Sequence, residues 1–210
     1  MPRPLRIQDA GYVHHVITRG NDRQVIFKET ADFKKYLDLV DHARKQYPIK
    51  IYNFVLMDNH VHLLVEPTED GNLSKAMEAI SKGYARYFNK KYNHFGHVFQ
   101  GRFKSFLIQR ERYFFICCRY IDLNPFKANL VKDPKEYKWS GHEVWAYGKE
   151  GVFKLDMHPL IKGLGNNPAE RGIAYRALIN SYQGEEIDLL DKRATVLGDK
   201  DFKKQMKALG

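Results

Sequence analysis

The sequence predicts an α+β fold of the ferredoxin-like type, a βαββαβ sandwich with an antiparallel sheet, helices on one face and extra helices after it. Three observations favour this class. Short runs rich in β-branched and aromatic residues alternate with longer segments of helical spacing. Turn residues join the second and third runs closely enough to form a hairpin. Hydrophobic residues make up 43% of the 210, which is enough for a substantial core.

Four strands form the predicted sheet. They are expected at residues 12–17, 50–56, 60–66 and 105–109. The middle two are joined by the turn Met57-Asp58-Asn59. In a ferredoxin-like sheet the first and third strands lie side by side at the centre, so the third strand would be a rigid support.

The helices follow from apolar residues that recur at intervals of three and four. They are expected at residues 30–47, 73–92 and 111–123, with two more at 169–182 and 200–209. Thr30 is the expected N-cap of the first helix, and Pro48 ends it. Asn124 should be the end of the third helix, because a residue that precedes a proline avoids the α region.

The charge balance favours a polyanionic partner. Lys and Arg number 35 against 25 Asp and Glu, which gives a formal net charge of +10. Nucleic acid is the first candidate for such a partner, ahead of an anionic membrane surface. No apolar run approaches the length of a membrane span, and the adjacent Cys117 and Cys118 are typical of a reducing compartment. We therefore expect a cytoplasmic protein that binds no membrane.

His60 and His62 are the most informative pair in the chain. In a strand their side chains project from one face, while Val61 and Leu63 project from the other. Two neutral imidazoles within reach of one point can bind a metal ion, although two protein ligands alone are too few. Half-buried packing is the alternative interpretation of this pair. His15 on the first strand could line the same site or simply pack in the core.

The third predicted helix carries residues that could complete this site. At 100° per residue, Tyr113, Tyr120 and Asn124 fall within an arc of roughly 40°. A helix packed on the sheet could direct that stripe at the histidines. A divalent ion held there would polarise a phosphodiester, and a tyrosine hydroxyl would attack phosphorus. Both tyrosines are candidate nucleophiles on this reasoning, and Asn124, at the end of the helix, could simply be its cap.

Basic and polar side chains flank the predicted central strands. The candidate DNA contacts are Arg19, Asn21, Arg23, Lys82, Arg86, Arg102 and Lys104. Such side chains neutralise phosphates, and Phe99 or Phe103 could stack on unpaired bases. Lys82 and Arg86, one turn apart on the second helix, could instead form a solvated face. Residues 3–6 supply either a basic arm or a tail.

Several segments, in the right order, resemble one protein family. Residues 59–64 (NHVHLL) resemble the His-hydrophobe-His motif of single-tyrosine transposases. Residues 120–125 (YIDLNP) resemble the Tyr-Ile-x-x-Asn-Pro segment that carries their nucleophile. Further matches are residues 18–21 (TRGN) and 96–104 (GHVFQGRFK). The resemblance spans about residues 3–147, and it is greatest to the REP-associated tyrosine transposases.

This resemblance implies a DNA transposase and strand-transferase. Tyr120 would attack a phosphate of single-stranded or hairpin DNA, such as a REP-like palindrome, to leave a 5′-phosphotyrosine and a free 3′-OH. Mg²⁺ or Mn²⁺ would be held by His60, His62 and Asn124. The family includes monomers and homodimers, and the sequence indicates neither.

Residues 1–147 are expected to form the tyrosine nuclease domain, and residues 148–210 a helical extension of unknown role. Two alternatives remain open on the sequence. One is a domesticated protein that holds DNA hairpins without cutting them. The other is a metal-dependent hydrolase that activates water, with Tyr120 as a structural residue. The intact His60, His62 and Tyr120 favour the transposase over the binding protein.

Overall fold

A twisted sheet with helices on both faces forms the framework of the chain. The structure, a computed structural model, describes residues 10–109, 112–181 and 196–208. The strands are β1 (Val13–Arg19), β2 (Ile49–Met57), β3 (His60–Pro67), β4 (Lys104–Ile108) and β5 (Val196–Leu197). The helices are α1 (Thr30–Gln46), α2 (Asn72–Tyr92), α3 (Arg112–Lys127), α4 (His142–Tyr147), α5 (Pro159–Lys162), α6 (Pro168–Asn180) and α7 (Lys200–Ala208).

The strand order β2-β3-β1-β4-β5 confirms the ferredoxin-like prediction, with β1 and β3 adjacent at the centre. β1 is antiparallel to β3 and β4, and β2 is antiparallel to β3. The two-residue β5 adds a strand parallel to β4 at the sheet edge. Two residues are too few to show an alternating pattern, so the sequence does not indicate this strand.

The sheet separates two apolar layers. α1 and α2 cover one face, where they pack on strand residues such as Val16 and Leu63. α3 covers the opposite face with α4, α5 and α6, and there Phe114 and Tyr175 pack with Ile17 of β1. The C-terminal helices therefore complete the layer to which α3 belongs. Among the described residues, none of the helices combines the length and apolar character that a membrane crossing needs.

The start of α1 differs slightly from the sequence prediction. Its N-cap is Glu29 rather than Thr30, because Glu29 and Asp32 form a reciprocal capping box. The backbone amide of Glu29 donates to Asp32 Oδ2 at 3.1 Å, and the Glu29 side chain accepts from the Asp32 amide. The two helical segments predicted near the C-terminal end correspond to α6 and α7.

The end of α3 also differs from the sequence prediction. The helix continues through Pro125 to Lys127, although the sequence predicted its end at Asn124. A proline removes only one backbone hydrogen bond, and the following amides restore the turn. The amide of Ala128 donates to the Asn124 carbonyl, and that of Leu130 donates to the Pro125 carbonyl, each at 3.0 Å. Asn124 is therefore a helical residue with a defined orientation.

A buried polar cluster attaches α3 to three other elements. Asp122 is 1% exposed and accepts hydrogen bonds from Asn53 Nδ2 at 2.8 Å and the Tyr175 hydroxyl at 2.9 Å. His142 Nδ1 lies 2.9 Å from Asp122 Oδ2. The four residues belong to α3, β2, α6 and α4 respectively. The cluster fixes the part of α3 that also carries Tyr120.

Candidate active site

The central strands bring two histidines to one face of the sheet. β3 opposes β1 so that His62 lies across from Ile17 and His60 across from Arg19. Residues that oppose each other directly across antiparallel strands share a face, so these four side chains lie on the face that α3 covers. His62 is fully buried and His60 is half-buried, which places the pair between the core and the surface.

α3 adds Tyr120 and Asn124 to the same face. The Tyr120 ring stands edge-on to the His62 ring, with centroids 5.3 Å apart and planes at 77°. Asn124 places its Nδ2 3.5 Å from His62 Nε2, and its side chain also forms a hydrogen bond with His60. Tyr113 lies two turns earlier and, among the described side chains, contacts neither histidine ring.

Each histidine has a hydrogen-bond partner at Nδ1. His60 Nδ1 lies 2.6 Å from Asn59 Oδ1, and His62 Nδ1 lies 2.9 Å from Nε2 of His15. Partners at Nδ1 leave the Nε2 atoms of the two rings as the positions for a metal ion. Histidine ligands in proteins are commonly oriented in this way by a second hydrogen bond.

Burial keeps the two imidazoles neutral at pH 7. The pKa of His60 is lowered to about 4, mainly by desolvation and also by the positive charge of Arg19, whereas the hydrogen bond to Asn124 opposes the shift. The pKa of His62 lies well below its usual range, first because of burial and then because of His15, His60 and Arg19. The neutral imidazole is the form that binds metal ions.

The donor set fits a divalent cation that accepts mixed nitrogen and oxygen ligands. In the described parts of the chain, no cluster of three His, Cys, Asp or Glu side chains could hold a metal ion. The Asn124 amide contacts both histidines, and its oxygen could supply a third ligand. Two imidazoles and one amide oxygen leave coordination positions for water and phosphate oxygens, which Mg²⁺ and Mn²⁺ favour.

Comparison with known proteins identifies the family. The model for the family described as "Transposase IS200 like" matches residues 9–124, more than half of the chain. The chain belongs to the IS200-like transposase family. The matched region includes both histidines, Tyr120 and Asn124. No match to this transposase is found among curated protein sequences.

One solved structure shows the same fold. The REP-associated tyrosine transposase bound to a REP hairpin superposes with a TM-score of 0.60 at 19% identity, over 75% of this chain and 93% of that chain. A candidate transposase from Deinococcus radiodurans R1 matches with a TM-score of 0.39 at 16% identity, over 61% of this chain and 97% of that chain.

Basic and polar residues lie at the same end of the sheet as His60. Arg19 ends β1, and Lys104 begins β4 directly across from Ile17, so both side chains share the histidine face of this transposase. Asn21 and Arg23 follow β1 in an exposed 3₁₀ turn. The Asn59 side chain donates to the Arg23 carbonyl at 3.2 Å, which attaches this turn to the start of β3.

The loop before β4 packs against the same turn. The amide of Asn21 donates to the Val98 carbonyl at 2.9 Å, and the amide of Gln100 donates to the Arg19 carbonyl at 2.8 Å. Arg102 is exposed on this loop. The two loops therefore form one polar surface at the end of β1, where four of the seven predicted DNA contacts lie and where Lys104 begins β4.

The structure corrects the prediction that Phe99 or Phe103 stacks on unpaired bases. Phe103 is only 8% exposed and belongs to the layer beneath α1 and α2. Phe99 is half-buried, with its ring centroid 6.0 Å from that of Tyr84. Both rings pack in the apolar core because their loop covers the end of α2. The exposed aromatic of this loop is Phe95, at 94%.

The structure does not bring Lys82 and Arg86 to the site. Both are exposed on α2, which packs on the face of the sheet opposite to the histidines. The Lys82 ammonium group lies 2.6 Å from the Glu78 carboxylate one turn earlier. This arrangement is that of a solvated helix face. The basic residues 3–6 lie outside the described residues.

Two contributors to the site were missed at the level of sequence. The sequence marks Asn59 only as a turn residue, yet its side chain contacts both His60 and the Arg23 carbonyl. An amide side chain immediately before a metal-binding histidine is a signal that could have identified it. No local pattern indicates the role of Asp122, because its partners lie far away in the sequence, up to 69 residues for Asn53.

Proposed function

We propose that this transposase cleaves and rejoins single-stranded or hairpin DNA through a covalent bond between phosphorus and Tyr120. The observation that carries the proposal is the contact of Tyr120 and Asn124 with His62, although Asn124 and His62 are 62 positions apart. A tyrosine and three side chains that could hold a metal ion therefore lie close together at one end of the sheet. Family membership supports DNA as the substrate, and the hairpin bound to the similarly folded transposase supports a hairpin.

The proposed reaction is a phosphoryl transfer that conserves the phosphodiester energy. The Tyr120 oxygen bonds to phosphorus as it loses its proton, and the bond between phosphorus and O3′ breaks. The O3′ atom takes up a proton, which leaves a free 3′-OH and a 5′-phosphotyrosine. Attack by a 3′-OH on that ester restores a phosphodiester and the phenol, so strand rejoining needs no external energy source.

His60, His62 and Asn124 would hold Mg²⁺ or Mn²⁺ at this site. When bound, such an ion polarises a phosphoryl oxygen and offsets the negative charge that develops on it. Asn59 orients the His60 ring through a hydrogen bond of 2.6 Å. Because both histidines are neutral at pH 7, protons do not compete with the cation for their ring nitrogens. Arg19 and Lys104 would contact the neighbouring phosphates.

A covalent adduct tests the proposal. The protein is incubated with a pool of labelled single-stranded hairpins and Mn²⁺, and denaturing gels are run with and without protease. The wild type should give a slow band that protease converts to free DNA. Tyr120→Phe should give neither adduct nor cleavage. Tyr113→Phe, on the same helix, should retain both.

Other results point to other functions. Cleavage without an adduct that persists in Tyr120→Phe would indicate hydrolysis by activated water. Hairpin binding without cleavage by the wild type would indicate a DNA-binding protein. His60→Ala should abolish cleavage but keep most of the DNA affinity, and full activity in that variant would contradict the metal site.

A further inference from the structure

His15 on β1 contacts the proposed metal site on the side of His62 that faces away from Asn124. It is fully buried, and its Nε2 lies 2.9 Å from His62 Nδ1. The two ring planes are 19° apart with centroids at 5.0 Å. The Tyr120 ring packs edge-on to His15 at 5.8 Å as well as to His62. His15 thus contacts a proposed ligand and the proposed nucleophile, and it is itself fully buried.

The hydrogen bond between these rings determines which nitrogen of His62 carries a hydrogen. A neutral imidazole has one N–H group and one lone pair. If His62 donates from Nδ1, its Nε2 keeps a lone pair on the Asn124 side, and His15 carries its own hydrogen on Nδ1. If His15 donates instead, the hydrogen of His62 occupies Nε2, and that atom cannot bind a cation.

We propose that His15 is a positioning residue that holds His62 in the Nδ1–H tautomer and so makes Nε2 the ligand atom. The inference rests on the proposed function, because it requires a divalent ion at His62. The contact of Asn124 Nδ2 with His62 Nε2, at 3.5 Å, agrees with this tautomer. An N–H group that faces Nε2 requires a lone pair on that atom, as a cation would. Metal-binding histidines characteristically depend on such a partner at the second nitrogen.

The surroundings of His15 support a role beyond packing. Its Nδ1 is buried without a hydrogen-bond partner among the described residues. Burial of a polar atom without a partner lowers stability, and a leucine would fill the same space without this loss. The hydrogen bond to His62 is therefore what the histidine provides and an apolar side chain cannot.

His14 is a matched control. It is the adjacent residue of the same strand and is equally buried, but its side chain projects to the opposite face of the sheet. Its Nδ1 lies 3.1 Å from Ser105 Oγ, and its Nε2 also lacks a partner in the described part of the chain. The change His14→Leu therefore reproduces the loss of a buried imidazole without touching His62.

The test is Mn²⁺ binding by the full chain, measured by electron paramagnetic resonance of free Mn²⁺. His15→Leu should weaken binding about 10–100-fold, the usual effect of losing a partner of a metal-binding histidine. His15→Gln should recover most of the affinity, because its amide oxygen can accept the His62 hydrogen. His15→Asn is one methylene shorter and should not recover it. His14→Leu should bind Mn²⁺ as the wild type does.

Nitrogen-15 NMR of the histidine rings gives an independent measurement in the metal-free protein. The wild type and His15→Gln should show the hydrogen of His62 on Nδ1, whereas a hydrogen on Nε2 in the wild type would overturn the proposal. The comparison of His15→Gln with His15→Asn remains informative even if His15→Leu does not fold.

Failure of this inference can be told apart from failure of the proposed function. If the wild type binds no Mn²⁺, the metal site and the role of His15 are both wrong. If His60→Ala abolishes binding while His15→Leu has wild-type affinity, only the role of His15 is wrong. An equal loss of Mn²⁺ affinity in His14→Leu and His15→Leu would also overturn the positioning role of His15, because a general packing defect would then explain both losses.

Discussion

Asp122 anchors the helix that carries Tyr120, and its replacement by alanine should destabilise the protein strongly. Its carboxyl oxygens have three partners at 2.8, 2.9 and 2.9 Å, from Asn53, His142 and Tyr175. Asp122→Ala removes all three interactions and leaves buried polar atoms on three other elements. None of those atoms can turn to solvent without movement of β2, α4 or α6.

The magnitude follows from the cost of buried polar atoms without partners. Each such atom costs about 1–3 kcal/mol, and loss of one member of a buried polar or charged pair costs about 3–5 kcal/mol. The three effects are not additive, because the neighbours share one cavity and Asn53 retains a 3.4 Å contact with the Tyr175 hydroxyl. We expect Asp122→Ala to lower the free energy of unfolding by about 3–5 kcal/mol.

Urea unfolding followed by circular dichroism measures this loss. Asp38→Ala is the control, because Asp38 is exposed on α1. Its effect should stay within about 0.5 kcal/mol. A loss below about 1 kcal/mol in Asp122→Ala would show that the cluster does not anchor α3, since that is the value of one ordinary hydrogen bond. The loss of unfolding free energy in Asp122→Asn should lie between those of Asp122→Ala and Asp38→Ala, because an amide retains one acceptor oxygen.

Three further predictions concern pH, DNA and the turn after β1. Burial lowers the pKa of His14 from 6.5 to about 4, so unfolding takes up a proton in that window, and stability should fall as pH drops from 6.5 to 4. Urea titrations should show a shallower pH dependence in His14→Leu, and an unchanged slope would contradict the assignment. Lys104→Gln should weaken single-stranded DNA binding and lower its salt dependence by about 0.7 in the logarithmic slope, whereas Lys82→Gln on the opposite face should change neither. Gly20→Ala would place a Cβ atom 2.3 Å from the Gln24 carbonyl oxygen, so its thermal unfolding midpoint should fall, and a wild-type midpoint would show that the turn adapts.

The order of the core elements could be predicted because its signals are local. Alternation in β3, helical spacing in α1 and α2, and a turn before His60 are all read within a few residues. These patterns also determine that His60 and His62 share a face. Adjacency of β1 and β3 then follows from the topology, and the strand order confirms it.

The remaining features depend on contacts between distant parts of the chain. The burial of Phe103 depends on how the loop before β4 covers α2, and the hydrogen bond between His15 and His62 joins residues 47 positions apart. The cluster around Asp122 requires α4 and α6 to reach β2. Pro125 signalled a helix end that the following amides override. No pattern within one segment encodes such contacts.

The most direct test of the central claim is mass spectrometry of the trapped covalent complex. After nuclease treatment and trypsin digestion, cleavage at Arg112, Arg119 and Lys127 separates the two candidate tyrosines into different peptides. We expect the nucleotide mass on the peptide that begins at Tyr120. A nucleotide on the peptide that begins at Tyr113, or on neither peptide, would contradict it.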